Sequence, residues 1–90
     1  MGTIIKPSPI HGLGVFAAKD FRDGDFILIL FGCNLKVTDE GAKINHRDDG
    51  NTSLVRDRIN GDLRLYASRY IPRGEEVTLN YATCPYTKSL

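Results

Sequence analysis

The chain has 90 residues, of which 41% are hydrophobic, and its twelve Lys plus Arg against eleven Asp plus Glu give a formal charge of +1. A chain this short forms one domain that buries roughly 60 to 70% of the surface its unfolded form exposes, which leaves a single thin core. Near-neutral charge and a pI of about 7.8 provide no field that steers the protein to nucleic acid or an anionic membrane. The longest apolar run, Phe26 to Phe31, is six residues against the ~20 that a membrane helix needs.

Thr3 to Ile5 is a short apolar start, and Lys6-Pro7-Ser8-Pro9 is extended because each proline pushes its predecessor out of the helical region. The chain then enters a glycine turn, His11-Gly12-Leu13-Gly14, followed by Val15 and Phe16. A tight turn between strands and a loop that brings bare backbone close to a ligand are both consistent with that stretch. Val15 to Ala18 is expected as a strand, with Asp23-Gly24 as the turn that leads it into a hairpin-like pairing with Phe26 to Phe31. The latter run lacks alternation, so it is expected to be buried on both faces.

Leu35 to Thr38 is expected as one short strand and Asp39-Glu40-Gly41 as a turn. Ile44 to Asn51 is a polar stretch, I-N-H-R-D-D-G-N, whose composition suits a surface loop. Ser53 to Ile59 and Leu63 to Ala67 both alternate as strands do, with Asn60-Gly61 expected as a two-residue hairpin loop between them. Arg56, Arg58 and Arg64 fall on solvated faces and receive no role. Pro72-Arg73-Gly74 is a turn before Glu75 to Tyr81, and the end of the chain is polar. Two cysteines, Cys33 and Cys84, form at most one bridge. With no signal-peptide pattern the expectation is an intracellular protein, cytoplasmic or nuclear, with free thiols. Cysteines and histidines lie too far apart in sequence for a structural zinc site, and no metal is expected.

Three stretches occur in one order: the G-x-G turn with its apolar and aromatic pair, Asn45-His46 followed after four residues by Asn51, and Ala67, Arg69, Ile71, Gly74, Glu75, Glu76, Thr78 and Tyr81 in the pattern A-x-R-x-I-x-x-G-E-E-x-T-x-x-Y. Each is weak alone. Together, over most of the chain, they make it resemble a SET domain, the protein-lysine methyltransferase module. The resemblance implies a mostly β, SET-type β-clip fold of several small curved sheets with a threaded C-terminal segment. It divides the single domain into an N-terminal part (4–32), an insert shortened to 33–43, a C-terminal part (44–82) and a tail (83–90). Family members usually carry more strands and a helical insert where this chain has about a dozen residues, and that piece normally walls the peptide groove.

For function, the resemblance implies an enzyme that uses S-adenosyl-L-methionine to methylate lysine side chains of a protein or peptide. His11, Gly12, Leu13, Gly14, Asn45 and His46 would hold the cofactor, Tyr81 would be catalytic, and Leu79 and Tyr66 would line the substrate channel. His46 reads equally well as a buried structural histidine, and Tyr81 on its own as a strand-end aromatic packed on the core. Glu75 and Glu76 are expected to pair structurally, for instance with Arg69, and Leu79 to leave room for di- or trimethylated product. The alternative is a SET-like module, catalytically weak or inactive, that has lost its groove with the insert and serves as a binding or oligomerisation unit. A homodimer is expected, with a second copy covering an apolar patch near Phe26 to Phe31 and Leu35.

Overall fold

The computed structural model describes residues 2–31, 37–39 and 41–83. Among the described residues seven strands form two antiparallel-dominated sheets: β1 (Thr3–Pro7), β2 (Leu13–Ala17), β3 (Phe26–Phe31), β4 (Asn45–His46), β5 (Thr52–Arg56), β6 (Leu63–Ala67) and β7 (Glu76–Leu79). One sheet has the order β1-β2-β7-β4 and the other β3-β6-β5. The mostly β fold implied by the sequence is therefore the one observed. Short 3-10 turns occur at Gly41–Lys43 and Tyr81–Thr83.

In the first sheet β7 is central, antiparallel to β2 and parallel to β4, with Asn45 opposite Thr78 and His46 opposite Leu79. A polar two-residue strand survives there because its backbone pairs with a buried strand; Val77, Thr78 and Leu79 are all almost fully covered. The 44–51 stretch is thus no free surface loop. Its buried Ile44 joins Val15, Leu30, Leu65, Ile71 and Leu79 in one core.

β2 does not form a hairpin with β3. It pairs with β1 and β7, whereas β3 pairs with β6. The Asp23-Gly24 turn does occur, with Gly24 at a φ of 93°, but it hands the chain from one sheet to the other; the Gly24 amide donates to the Ala67 carbonyl at 2.7 Å. β3 is covered at Ile27, Leu28 and Leu30 and partly at Ile29, with Phe26 exposed. Among the described strands it lies at a sheet edge, and its register shifts between Phe26 and Leu28 and again between Ile29 and Phe31. Such irregularities turn consecutive residues to the same side, which is how Ile27 and Leu28 are both buried while Phe26 stays 48% exposed. The apolar patch expected to attract a second copy is reduced accordingly, and Leu35 lies outside the described residues, as do both cysteines.

The β5–β6 hairpin forms, with a longer loop than Asn60-Gly61. Arg56 pairs with Leu63, so residues 57–62 make the connection. Asp57 organises it by accepting from the amides of Ile59 and Asn60, both at 3.3 Å, a local turn that competes with extending the ladder. Arg64 is not idle: it pairs with Asp57 at 3.2 Å and Asp62 at 2.9 Å. Its hydrogen bond to Asp62, then the nearby carboxylate charges, raise its pKa further against partial desolvation.

Candidate functional site

The G-x-G turn, the Asn-His strand and the start of β7 meet around one carboxylate. Glu76 accepts from the Ser8 hydroxyl at 2.8 and 2.9 Å and from Asn45 Nδ2 at 2.8 Å. The same amide reaches the carbonyls of His11 at 3.1 Å and Leu13 at 3.3 Å, sharing its two protons among three acceptors. Asn45 therefore fixes the shape of the turn expected to hold the cofactor. Gly12 stands at a φ of 46°. Gly14 is required for a different reason: a Cβ there would lie 2.3 Å from a Glu76 carboxylate oxygen. Its bare backbone admits an internal partner.

Beneath this junction Asn51 is 1% exposed and uses its whole amide. Its Nδ2 donates to the Glu75 carboxylate at 2.8 Å and the Glu76 carbonyl at 2.9 Å, and its Oδ1 accepts from the Thr78 amide at 2.9 Å. The Asn-His spacing to Asn51 thus joins residues 44–51 to β7 by side-chain bonds that mimic a strand. Arg69 does not meet either glutamate; it donates to the carbonyls of Asp49 and Gly50 at 3.1 and 3.5 Å. The two glutamates are structural, as expected, but their partners are the neutral donors Asn45, Asn51 and Ser8.

His46 Nδ1 accepts the Tyr81 amide at 3.0 Å, which places the ring proton on Nε2, where Asp48 receives it at 3.1 Å. The rings of His46 and Tyr81 are 5.1 Å apart. His46 is exposed rather than buried, so its backbone bonds and its ring serve the placement of Tyr81. The Tyr81 hydroxyl donates to the Ile44 carbonyl, and burial pushes its pKa above the ordinary tyrosine value. It stays protonated at neutral pH, with its oxygen lone pairs turned to acceptor use.

Tyr81 closes one side of an apolar cavity of about 220 Å³. Leu30, Ile44 and Leu79 contribute from the core side, and Val37, Gly41 and Ala42 from the shortened insert. Leu79, expected in the substrate channel, lines this cavity. Tyr66 does not: on β6 its neighbour Leu65 enters the core, so Tyr66 faces the other way and stacks edge-on against Phe26 with ring centroids 5.7 Å apart.

Sequence reasoning missed Ser8, left Asn51 without partners and offered Glu76 the partner Arg69 in place of Ser8 and Asn45. Nothing in a proline-flanked serine announces a bond spanning 68 residues; the Asn51 spacing and the G-E-E run did mark the other two. The bonds around Asn45, His46 and Tyr81 run to carbonyl and carboxylate oxygens, an oxygen-rich surrounding that suits a sulfonium cation.

The family model described as the SET domain matches residues 32–82, more than half of the chain. Similar folds occur in a Plasmodium falciparum protein described as a histone methyltransferase, 20% identical at a TM-score of 0.72 with 94% of this chain and 96% of that chain covered. They occur also in a humanized mutant of the Chaetomium thermophilum Polycomb Repressive Complex 2 bound to an inhibitor, 21% identical with a TM-score of 0.71. The autoinhibited complex bound to S-adenosylmethionine is 18% identical with a TM-score of 0.71. This chain is 97% and 98% covered in those two comparisons but spans only 16% of each Polycomb chain. No curated protein matches in sequence. With the family model over residues 32–82 and the fold of these structures over nearly its whole length, the chain belongs to the SET domain family.

Proposed function

We propose that the protein is an S-adenosylmethionine-dependent methyltransferase acting on lysine side chains of a protein or peptide. One observation carries this reading: Tyr81, anchored to the Ile44 carbonyl, closes an apolar cavity beside the strand that holds Asn45 and His46. When bound, the cofactor supplies the methyl group as a sulfonium electrophile, so the protein has only to bind, orient and exclude water. Asn45 shapes the His11 to Gly14 turn against which the cofactor rests. The cavity desolvates the lysine alkyl chain and favours the neutral amine, whose lone pair must be free to attack. Tyr81 Oη, already donating to Ile44, accepts an amine N–H and aligns that lone pair, and alignment is worth on the order of 7 kcal/mol in favourable intramolecular cases.

A calorimetric titration with S-adenosylmethionine followed by a methyl-transfer assay on a lysine-rich peptide pool tests the reading. Binding with transfer supports it; binding without transfer favours the non-catalytic module, to which the shortened insert points. A homodimer forms no part of this reading, since Ile27, Leu28 and Leu30 are covered within one chain.

Asn45→Ala is expected to weaken cofactor binding by about 1 to 3 kcal/mol, because the carbonyls of His11 and Leu13 lose the Asn45 donor and the Glu76 carboxylate is left with Ser8 alone. Unchanged calorimetric affinity would place the cofactor away from this turn. Leu79→Tyr is expected to shift product from di- and trimethyl-lysine toward monomethyl-lysine by occupying the cavity in which a methylated amine must rotate. Mass spectrometry showing only monomethyl-lysine from the unmodified protein after long reaction removes that role from Leu79.

A further inference from the structure

Val37, Gly41 and Ala42, three of the cavity-lining residues, flank Thr38 and are tied to β3 through it. The Thr38 hydroxyl donates to the Ile29 carbonyl at 2.5 Å, approaches the Leu30 carbonyl at 3.4 Å, and accepts the Gly41 amide at 3.0 Å. Its backbone adds two more ties, the Thr38 amide to the Leu30 carbonyl at 3.0 Å and the Ala42 amide to the Thr38 carbonyl at 2.9 Å. Gly41 lets the segment close down, for a Cβ there would stand 2.5 Å from the Leu30 carbonyl oxygen and 2.8 Å from the Thr38 hydroxyl. One side chain thus bridges β3 and the turn that follows it. Both ends of the bridge line the cavity, Leu30 on one side and Gly41 with Ala42 on the other.

We infer that Thr38 is a positioning residue that fixes one wall of the cavity for the unbranched alkyl chain of lysine, so that Gly41 and Ala42, held by Thr38 against β3, close that side of the site. The inference rests on the lysine reading proposed above and deepens it. It makes the wall a property of one hydroxyl. A valine at this position keeps the β-branched shape but leaves the Gly41 amide and the Ile29 carbonyl without their partner, whereas a serine keeps the bond.

The test uses a probe without a charge, N-acetyl-norleucine amide, followed by the methyl resonances of Leu30, Ala42, Ile44 and Leu79. In the unmodified protein these four are expected to shift saturably. Thr38→Val is expected to weaken the probe at least fivefold while calorimetric affinity for S-adenosylmethionine stays within twofold, and Thr38→Ser to restore probe binding. Equal probe affinity in Thr38→Val, or a parallel loss of cofactor affinity, overturns the inference, the second by showing general destabilisation. Amide exchange of the unmodified protein decides the matter independently of any variant's folding. Protection at Gly41 and Ala42 that rises with the probe supports a pinned wall, and free exchange there overturns it. Probe binding without any methyl transfer to lysine peptides would retire the proposed enzymatic reading while leaving the wall in place; transfer without probe binding would do the reverse.

Discussion

Tyr81→Phe is expected to lower methyl transfer roughly a hundredfold or more, the scale on which one preorganised polar group acts on a transition state, while leaving calorimetric cofactor affinity nearly intact. The ring remains to pack against His46 at a centroid distance of 5.1 Å, and the Tyr81 amide still reaches His46 Nδ1. Only the hydroxyl is lost, and with it both the donor to the Ile44 carbonyl and the acceptor for the amine. Burial raises the pKa of that hydroxyl, so its ionisation should not limit the rate until the pH exceeds about 10, the ordinary tyrosine value. Activity equal to that of the unmodified protein would remove Tyr81 from the mechanism.

Asn51→Ala is expected to be the most damaging substitution for stability, at about 3 kcal/mol or more. Asn51 is 1% exposed, and truncation strands the Thr78 amide, the Glu76 carbonyl and one Glu75 bond at once, each buried orphan costing ~1 to 3 kcal/mol. For a domain of this size that corresponds to a fall in Tm of roughly 12 °C or more. Thermal unfolding with a loss under about 1 kcal/mol would show that water replaces the amide. The proposed split is informative: Tyr81→Phe should change turnover with little effect on Tm, and Asn51→Ala the opposite way in order of severity.

Among the described residues β2, β3 and β6 lie where hydrophobic pattern placed them, because each buries apolar residues that the pattern exposes to view; β5 ends at Arg56, short of the expected Ile59, with only Leu54 packed against the core. Pairing was harder. Asp23-Gly24 has the local chemistry of a hairpin turn whether the chain returns along the same sheet or crosses to another, and only the burial of Phe21 and Ile71, bridged to each other, decides for crossing. β4 was invisible to periodicity, since two polar residues carry no period and owe their strand to β7. The site residues came from motif resemblance, which marked Asn45, His46 and Tyr81 but not what they touch. Tyr66 shows the limit: one position along a strand sends a side chain to the opposite face, and nothing near it in sequence distinguishes channel from outer surface.

The central position of β7 also bears on how the protein comes to be folded. β2 and β4 do not touch as ladder partners; both wait for a strand that begins at Glu76. The chain leaving the ribosome has therefore already exposed the β2 and Asn-His segments well before their common partner appears, and loop closure over some sixty residues precedes any reward from β2 pairing. The β3–β6–β5 sheet, complete by Ala67, is free to form first and act as the template. Arrival of β7 then brings the His11 to Gly14 turn, the Asn-His strand and Tyr81 together, so a molecule that lacks β7 holds no partly formed candidate site.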